Sequence, residues 1–86
     1  MKRAPGIVCI KWGDAFIETH DFKQKDAEKT EPVVRYTVGY LAAKNQHGYV
    51  LATDYYDKEE ELSAKMFIPH GMVMSVRRIK NPWSKR

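Results

Sequence analysis

Apolar and polar positions alternate from residue 33 to residue 56. Val34, Tyr36, Val38, Tyr40 and Ala42 fall on one side, and Val33, Arg35, Thr37, Gly39 and Leu41 on the other. This is the period of two that an extended strand imposes, carried by the β-branched and aromatic types that suit a pleated surface. Lys44, Asn45, Gln46, His47 and Gly48 interrupt the pattern as a polar connection ending in glycine, and residues 49–56 resume it. The segment predicts one long β-hairpin around which the other strands pack. Tyr36 and Tyr40, sharing a side with Val34 and Val38, are expected in the core.

Upstream, Ile7, Val8, Cys9 and Ile10 form a nearly continuous apolar run, as in a strand covered on both faces. A first strand is expected over 7–12, after a lead-in broken by Pro5-Gly6 and before the punctuation of Gly13-Asp14. Residues 15–31 scatter Phe16, Ile17 and Phe22 among charges at a spacing that fits neither period. A short helix capped by Asp21 and running to Lys29, or a loop excursion anchored by its aromatics, is expected there. Glu31 precedes Pro32 and is thereby biased to extended backbone.

Downstream, the run Asp57-Lys58-Glu59-Glu60-Glu61 reads as a solvated acidic loop and residues 64–68 as a further strand. Pro69-His70-Gly71 makes a sharp corner into a last strand ending at Ile79. Val73, Val76 and Ile79 recur every third position, which fits a 3₁₀ turn or bulge at that corner. The resulting organisation is a lead-in (1–6), one β domain (7–79) and a basic tail (80–86), with Trp83 placed to dock on the body or on a neighbouring subunit. The fold expected is all-β: a small, strongly bent five-stranded antiparallel sheet or barrel with a long loop or short helix between strands 1 and 2.

Composition narrows the function classes. Eighty-six residues are near the lower size at which one hydrophobic core sustains a fold, and oligomerisation would add buried area. The net charge of +4 is segregated: residues 4–76 carry 8 basic and 11 acidic side chains, and the remaining basic groups crowd the two ends. That is not the broad positive face of a duplex-binding protein. No apolar run reaches the length needed to span a bilayer and no secretory pattern opens the chain, so a cytoplasmic protein with no membrane partner is expected. Cys9 is the single cysteine; it is read as a small buried apolar residue, with no intrachain disulfide possible. His20, His47 and His70 lack metal-ligand spacing, and no nucleophile sits beside a base, so neither an enzyme nor a metal or other cofactor is expected.

A nucleotide site needs a flat apolar group for the base and cations or backbone donors for phosphate. Trp12, ending a strand beside Gly13-Asp14, is placed to line a rim. Asp14 either caps the following turn or accepts hydrogen bonds from a base edge. Lys11, Arg35 and Arg77 are candidate phosphate partners. Arg35 lies opposite the tyrosines and so must be solvated, paired or ligand-facing, and Arg77 and Arg78 point to opposite sides.

The corner segment Phe67-Ile68-Pro69-His70-Gly71-Met72-Val73-Met74-Ser75-Val76 resembles the second signature of Sm and Sm-like proteins. Val38-Gly39-Tyr40-Leu41 with Tyr49-Val50-Leu51 is similar to the first. The usual N-terminal helix is missing, residues 13–32 are an insertion, and the Asp and Asn of the hairpin signature are out of register. Together with Lys11-Trp12-Gly13-Asp14, the pattern looks like small Sm-like proteins encoded by phages. The resemblance implies a bent barrel whose edge strands pair with those of neighbouring copies. It also implies a nucleotide site where the hairpin loop, Lys44 to His47, meets His70 and Gly71. For a phage protein it implies sequestration of a small cyclic nucleotide immune signal in the host cytoplasm. Two alternatives stay open: a ring that binds single-stranded RNA through the basic tail, and a module that inhibits a host protein.

Overall fold

The computed structural model describes residues 5–82. Five strands form a single antiparallel sheet: β1 (Ile7–Asp14), β2 (Val33–Lys44), β3 (Gly48–Tyr56), β4 (Glu61–Pro69) and β5 (Val73–Ile79), in the order β4-β3-β2-β1-β5. The expected all-β architecture is therefore present. Its edges, β4 and β5, are not hydrogen-bonded to each other, so the bent sheet does not close into a barrel.

The bend lies in β2. Its first part pairs with β1, from Asp14↔Val33 to Ile7↔Tyr40, and its last part pairs with β3, from Tyr40↔Ala52 to Lys44↔Tyr49. At the changeover a bulge falls between Leu41 and Ala43, which adds a residue to one strand and curls the sheet. Gly39 belongs to the same bend: a Cβ there would meet the Ala52 carbonyl oxygen at 2.9 Å. The chain then passes between the two edge strands through a 3₁₀ turn, η1 (His70–Met72), which touches both β1 and β3 and covers one end of the curl. A second bulge follows where Lys11 pairs with Ser75 but Trp12 pairs with Val73, leaving Met74 unpaired on β1. The expected turn and the expected bulge thus both occur.

The core is small: Val8, Ile10 and Trp12 from β1, Leu51 from β3 and Ile68 from β4, with Leu41, Tyr49, Met66, Val73 and Val76 packed around them. The register overturns the expectation for Tyr36. Val8, Ile10 and Trp12 lie opposite Gly39, Thr37 and Arg35, and directly paired residues share a face. The inner side of β2 is thus its small and polar side. The outer side carries Val34, Tyr36 and Val38, with Tyr36 67% and Val38 57% exposed. The physical reason is room: Gly39 lets β3 approach, and Thr37 leaves space for the Trp12 indole while accepting its N–H at 2.9 Å. Tyr40 is half-buried at the bend.

Residues 15–32 form the expected excursion, but its aromatics do not anchor it. Phe16 is 44% and Phe22 74% exposed. Helix is limited to one turn, α1 (Gln24–Ala27), with Lys23 rather than Asp21 at the cap position and no side-chain cap bond. Over residues 21–29 Phe22 is the one large apolar residue, so a helix there has no face to bury, and a single turn does not repay helix nucleation. β1 runs two residues further than expected, and β4 takes in Glu61, Leu62 and Ser63, so the acidic loop shortens to residues 57–60. Cys9 is half-buried on the outer face rather than in the core. Trp83 and the rest of the tail beyond Pro82 lie outside the described residues, as do residues 1–4 of the lead-in.

Candidate functional site at the hairpin loop and the His-Gly corner

The β2–β3 hairpin and the η1 corner meet because β3 and β4 pair at their ends, Gly48 with Pro69 and Tyr49 with Ile68. Asn45 shapes the loop. Its Oδ1 accepts the backbone N–H of His47 at 2.8 Å and that of Gly48 at 3.2 Å, and its own N–H donates to the Gly48 carbonyl at 3.0 Å. A side chain that mimics a backbone turn in this way explains asparagine at the start of the loop.

The corner is tied to this loop twice. The His70 backbone N–H donates to the His47 carbonyl at 3.1 Å, and the His70 ring Nε2 lies 2.7 Å from the Asn45 carbonyl oxygen. A carbonyl oxygen can only accept, so Nε2 carries the hydrogen and Nδ1 is left to face away from that bond. The imidazole meets the Tyr49 ring edge-on with centroids 5.3 Å apart, and the Lys44 ammonium lies 5.5 Å from the same ring centroid. His47 Nε2 is 3.2 Å from the Gln46 amide nitrogen. The cluster therefore combines one lysine, two imidazoles, a tyrosine ring and loop backbone. All its members except the half-buried Tyr49 are exposed. A Cβ at Gly71 would meet nothing within 4 Å, and its φ is not positive, so neither packing nor backbone conformation demands glycine there.

The eight residues singled out in the sequence separate into groups. His47, His70 and Gly71 come together in this cluster. Asp14 and Arg35 pair with each other, Arg35 Nε donating to Asp14 Oδ2 at 2.7 Å. Asp14 is thus neither a turn cap nor an unengaged acceptor. Trp12 does not line a rim: it is 7% exposed, and its indole N–H is used by Thr37. The bulge at Trp12 and the contact of η1 with β1 account for this, since the corner covers the strand end that the sequence leaves open. Lys11 and Arg77 sit on the outer face, where Lys11 pairs across from Tyr36 and lies 5.9 Å from its ring centroid, and Arg77 lies across from Cys9. Lys44, which the resemblance includes in the loop, and Tyr49, its partner in the first pair closing the hairpin, complete the cluster.

The Asp14–Arg35 pair is half in solvent, so its contribution is limited by screening. Asp14→Asn is expected to lower stability by less than about 1 kcal/mol. Urea midpoints measured at low and at high salt should show the difference shrinking as salt rises.

Among the described residues no group of three or more His, Cys, Asp or Glu side chains could hold a metal ion, and no helix is long and apolar enough to cross a membrane. Comparison of the chain with protein-family models, with curated proteins and with solved structures finds no match.

Proposed function

We propose that this chain is a non-enzymatic, homo-oligomeric nucleotide-binding protein of the Sm-like kind, which sequesters a small cyclic nucleotide at the junction of the hairpin loop and the His-Gly corner. The observation that carries the reading is the convergence of Lys44, Tyr49, His47, His70 and Gly71 on two hydrogen-bonded turns. Lys44 supplies charge for phosphate, the His47 ring and the loop backbone supply donors, and the aromatic edges supply contact for a base. The unobstructed backbone at Gly71 lets a ligand approach without meeting a side chain.

The area the chain leaves uncovered supports assembly. A single copy exposes 7348 Å², whereas a compact monomer of 10.0 kDa would expose roughly 5,200 Å². The radius of gyration, 16.8 Å, likewise exceeds the roughly 12 Å of a compact domain of this length. A subunit with two neighbours typically hides about 1,600 Å² of its own surface, so two contacts per copy would remove most of the excess. The two unpaired edges, β4 and β5, supply the hydrogen-bonding sites for such contacts. Because most of the cluster is exposed on one copy, a neighbouring copy would supply a second wall. Binding would be stoichiometric: the free signal falls when sites outnumber it, and bound ligand stabilises the assembly.

Calorimetric titration with a panel of cyclic di- and trinucleotides tests the reading, using Gly71→Ala and Lys44→Ala as probes. Wild type should bind one of them and release it unchanged on denaturation. Gly71→Ala should keep its melting temperature within a degree or two and lose affinity by tenfold or more. Absence of binding to every cyclic nucleotide, or wild-type affinity in both variants, would overturn it. Preference for long single-stranded RNA with a steep salt dependence would replace it with the RNA-binding alternative.

A further inference from the structure

The distal half of the β3–β4 hairpin leaves the body of the sheet. The last pair between β2 and β3 is Tyr40↔Ala52, so residues 53–56 of β3 have only β4 beside them. At the same level β4 contains Ala64 with φ 61°, in the left-handed region that disfavours a residue with a Cβ. Ala52 and Asp54 pair with Lys65 and Ser63 on either side of that kink. Residues 53–63 are thus a two-stranded arm aimed by a strained residue, and a ribbon of two strands has little stability of its own.

The arm has two unlike faces. Tyr55 pairs with Leu62, and the Tyr55 ring lies 6.1 Å from that of Tyr40, so this face is held against its own subunit. The opposite face presents Tyr56, 54% exposed, paired with Glu61, and Asp54 paired with Ser63. The tip adds Asp57, Glu59 and Glu60 against Lys58 alone. Tyr55 registers this crowding, its phenol held above the ordinary tyrosine range first by desolvation and then by Glu60 and Asp57.

The sheet carries the complement. Its outer face joins the apolar Tyr36 and Val38 to Lys11, Cys9 and Arg77 through the pairs Lys11↔Tyr36, Cys9↔Val38 and Cys9↔Arg77. Charge and apolar character match across the two surfaces: a tyrosine flanked by carboxylates on one, and an aromatic-aliphatic patch flanked by cations on the other. We infer that the arm of one copy docks on the outer β1-β2-β5 face of a second copy, Tyr56 packing on Tyr36 and Val38 while Asp54 and Glu61 meet Lys11 and Arg77. The inference rests on the homo-oligomer reading above and adds to it a contact separate from the sheet edges. The arm is then an assembly device, and the exposed side of β2 is an interface.

A charge-exchange experiment on the full chain tests it by sedimentation velocity and native mass spectrometry, with circular dichroism as the check of folding. One variant carries Asp54→Lys and Glu61→Lys, the other Lys11→Glu and Arg77→Glu. Each alone should associate at least about tenfold more weakly than wild type, and an equimolar mixture should regain assembly through the reversed pairs. Tyr56→Ser, which changes no charge, should weaken association in the same direction. If wild type assembles and all three variants assemble equally well, the arm contact is wrong while the oligomer reading stands. If wild type is a monomer at micromolar concentration, both fall.

Discussion

Trp12→Ala is expected to cost about 3–5 kcal/mol, the range for removing a large aromatic from a packed core. The whole fold of a chain this size holds only about 4–13 kcal/mol, so the loss is a large share of the total stability. The core explains the severity. Among the described residues Val8, Ile10, Trp12, Leu51 and Ile68 form its buried cluster, and Trp12 is the largest of them, seated where β1, β5 and the η1 corner meet. Trp12→Phe should be milder, though it leaves the Thr37 hydroxyl without the indole donor it accepts from. Equilibrium urea unfolding of both variants measures the effect. A loss below about 1 kcal/mol for the alanine variant would mean that Trp12 is not a core residue.

Gly48→Ala should be as damaging, for a backbone reason. Gly48 is buried at the first pair of β3 and β4, and a Cβ there would fall on the Ile68 carbonyl oxygen and within 2.9 Å of the Pro69 Cα. Both obstacles are main chain, and Ile68 is fully buried, so neither side can yield. A loss of about 3 kcal/mol or more is expected, at the upper end of overpacking penalties. The hydrogen bonds within the hairpin loop should go with it, since Gly48 and Asn45 share them. Thermal melting compared with Gly71→Ala separates the two glycines: one is required by packing, while the other has open space around it and is not. A Gly48→Ala protein as stable as wild type would contradict the β3–β4 register.

The contrast between these glycines shows what the chain makes legible. Strand positions, the hairpin and the corner could all be read from alternation and punctuation, because these are local properties, whereas the meeting of His47 with His70 rested on the resemblance to Sm-like proteins alone. The inward face of β2 could not. Its apolar side is the outer one, and the inner side is Thr37 and Gly39, chosen for the space they leave to Trp12 and Leu51. That choice depends on pairing with β1, which periodicity within β2 does not contain. Trp12 was misplaced for a related reason: a tryptophan at a strand end faces solvent unless a later segment, here η1, comes back to cover it. The arm was hidden because its acidic run reads equally well as a solvated loop. Its separation from the sheet appears only when the last β2–β3 pair is known.

The most direct test of the account is native mass spectrometry of the purified protein, with and without cyclic nucleotides. The account predicts a discrete multiple of the 10.0 kDa chain that takes up a fixed number of ligands per assembly and gives them back unaltered when unfolded. A lone chain with no nucleotide adduct at any concentration tested would contradict it.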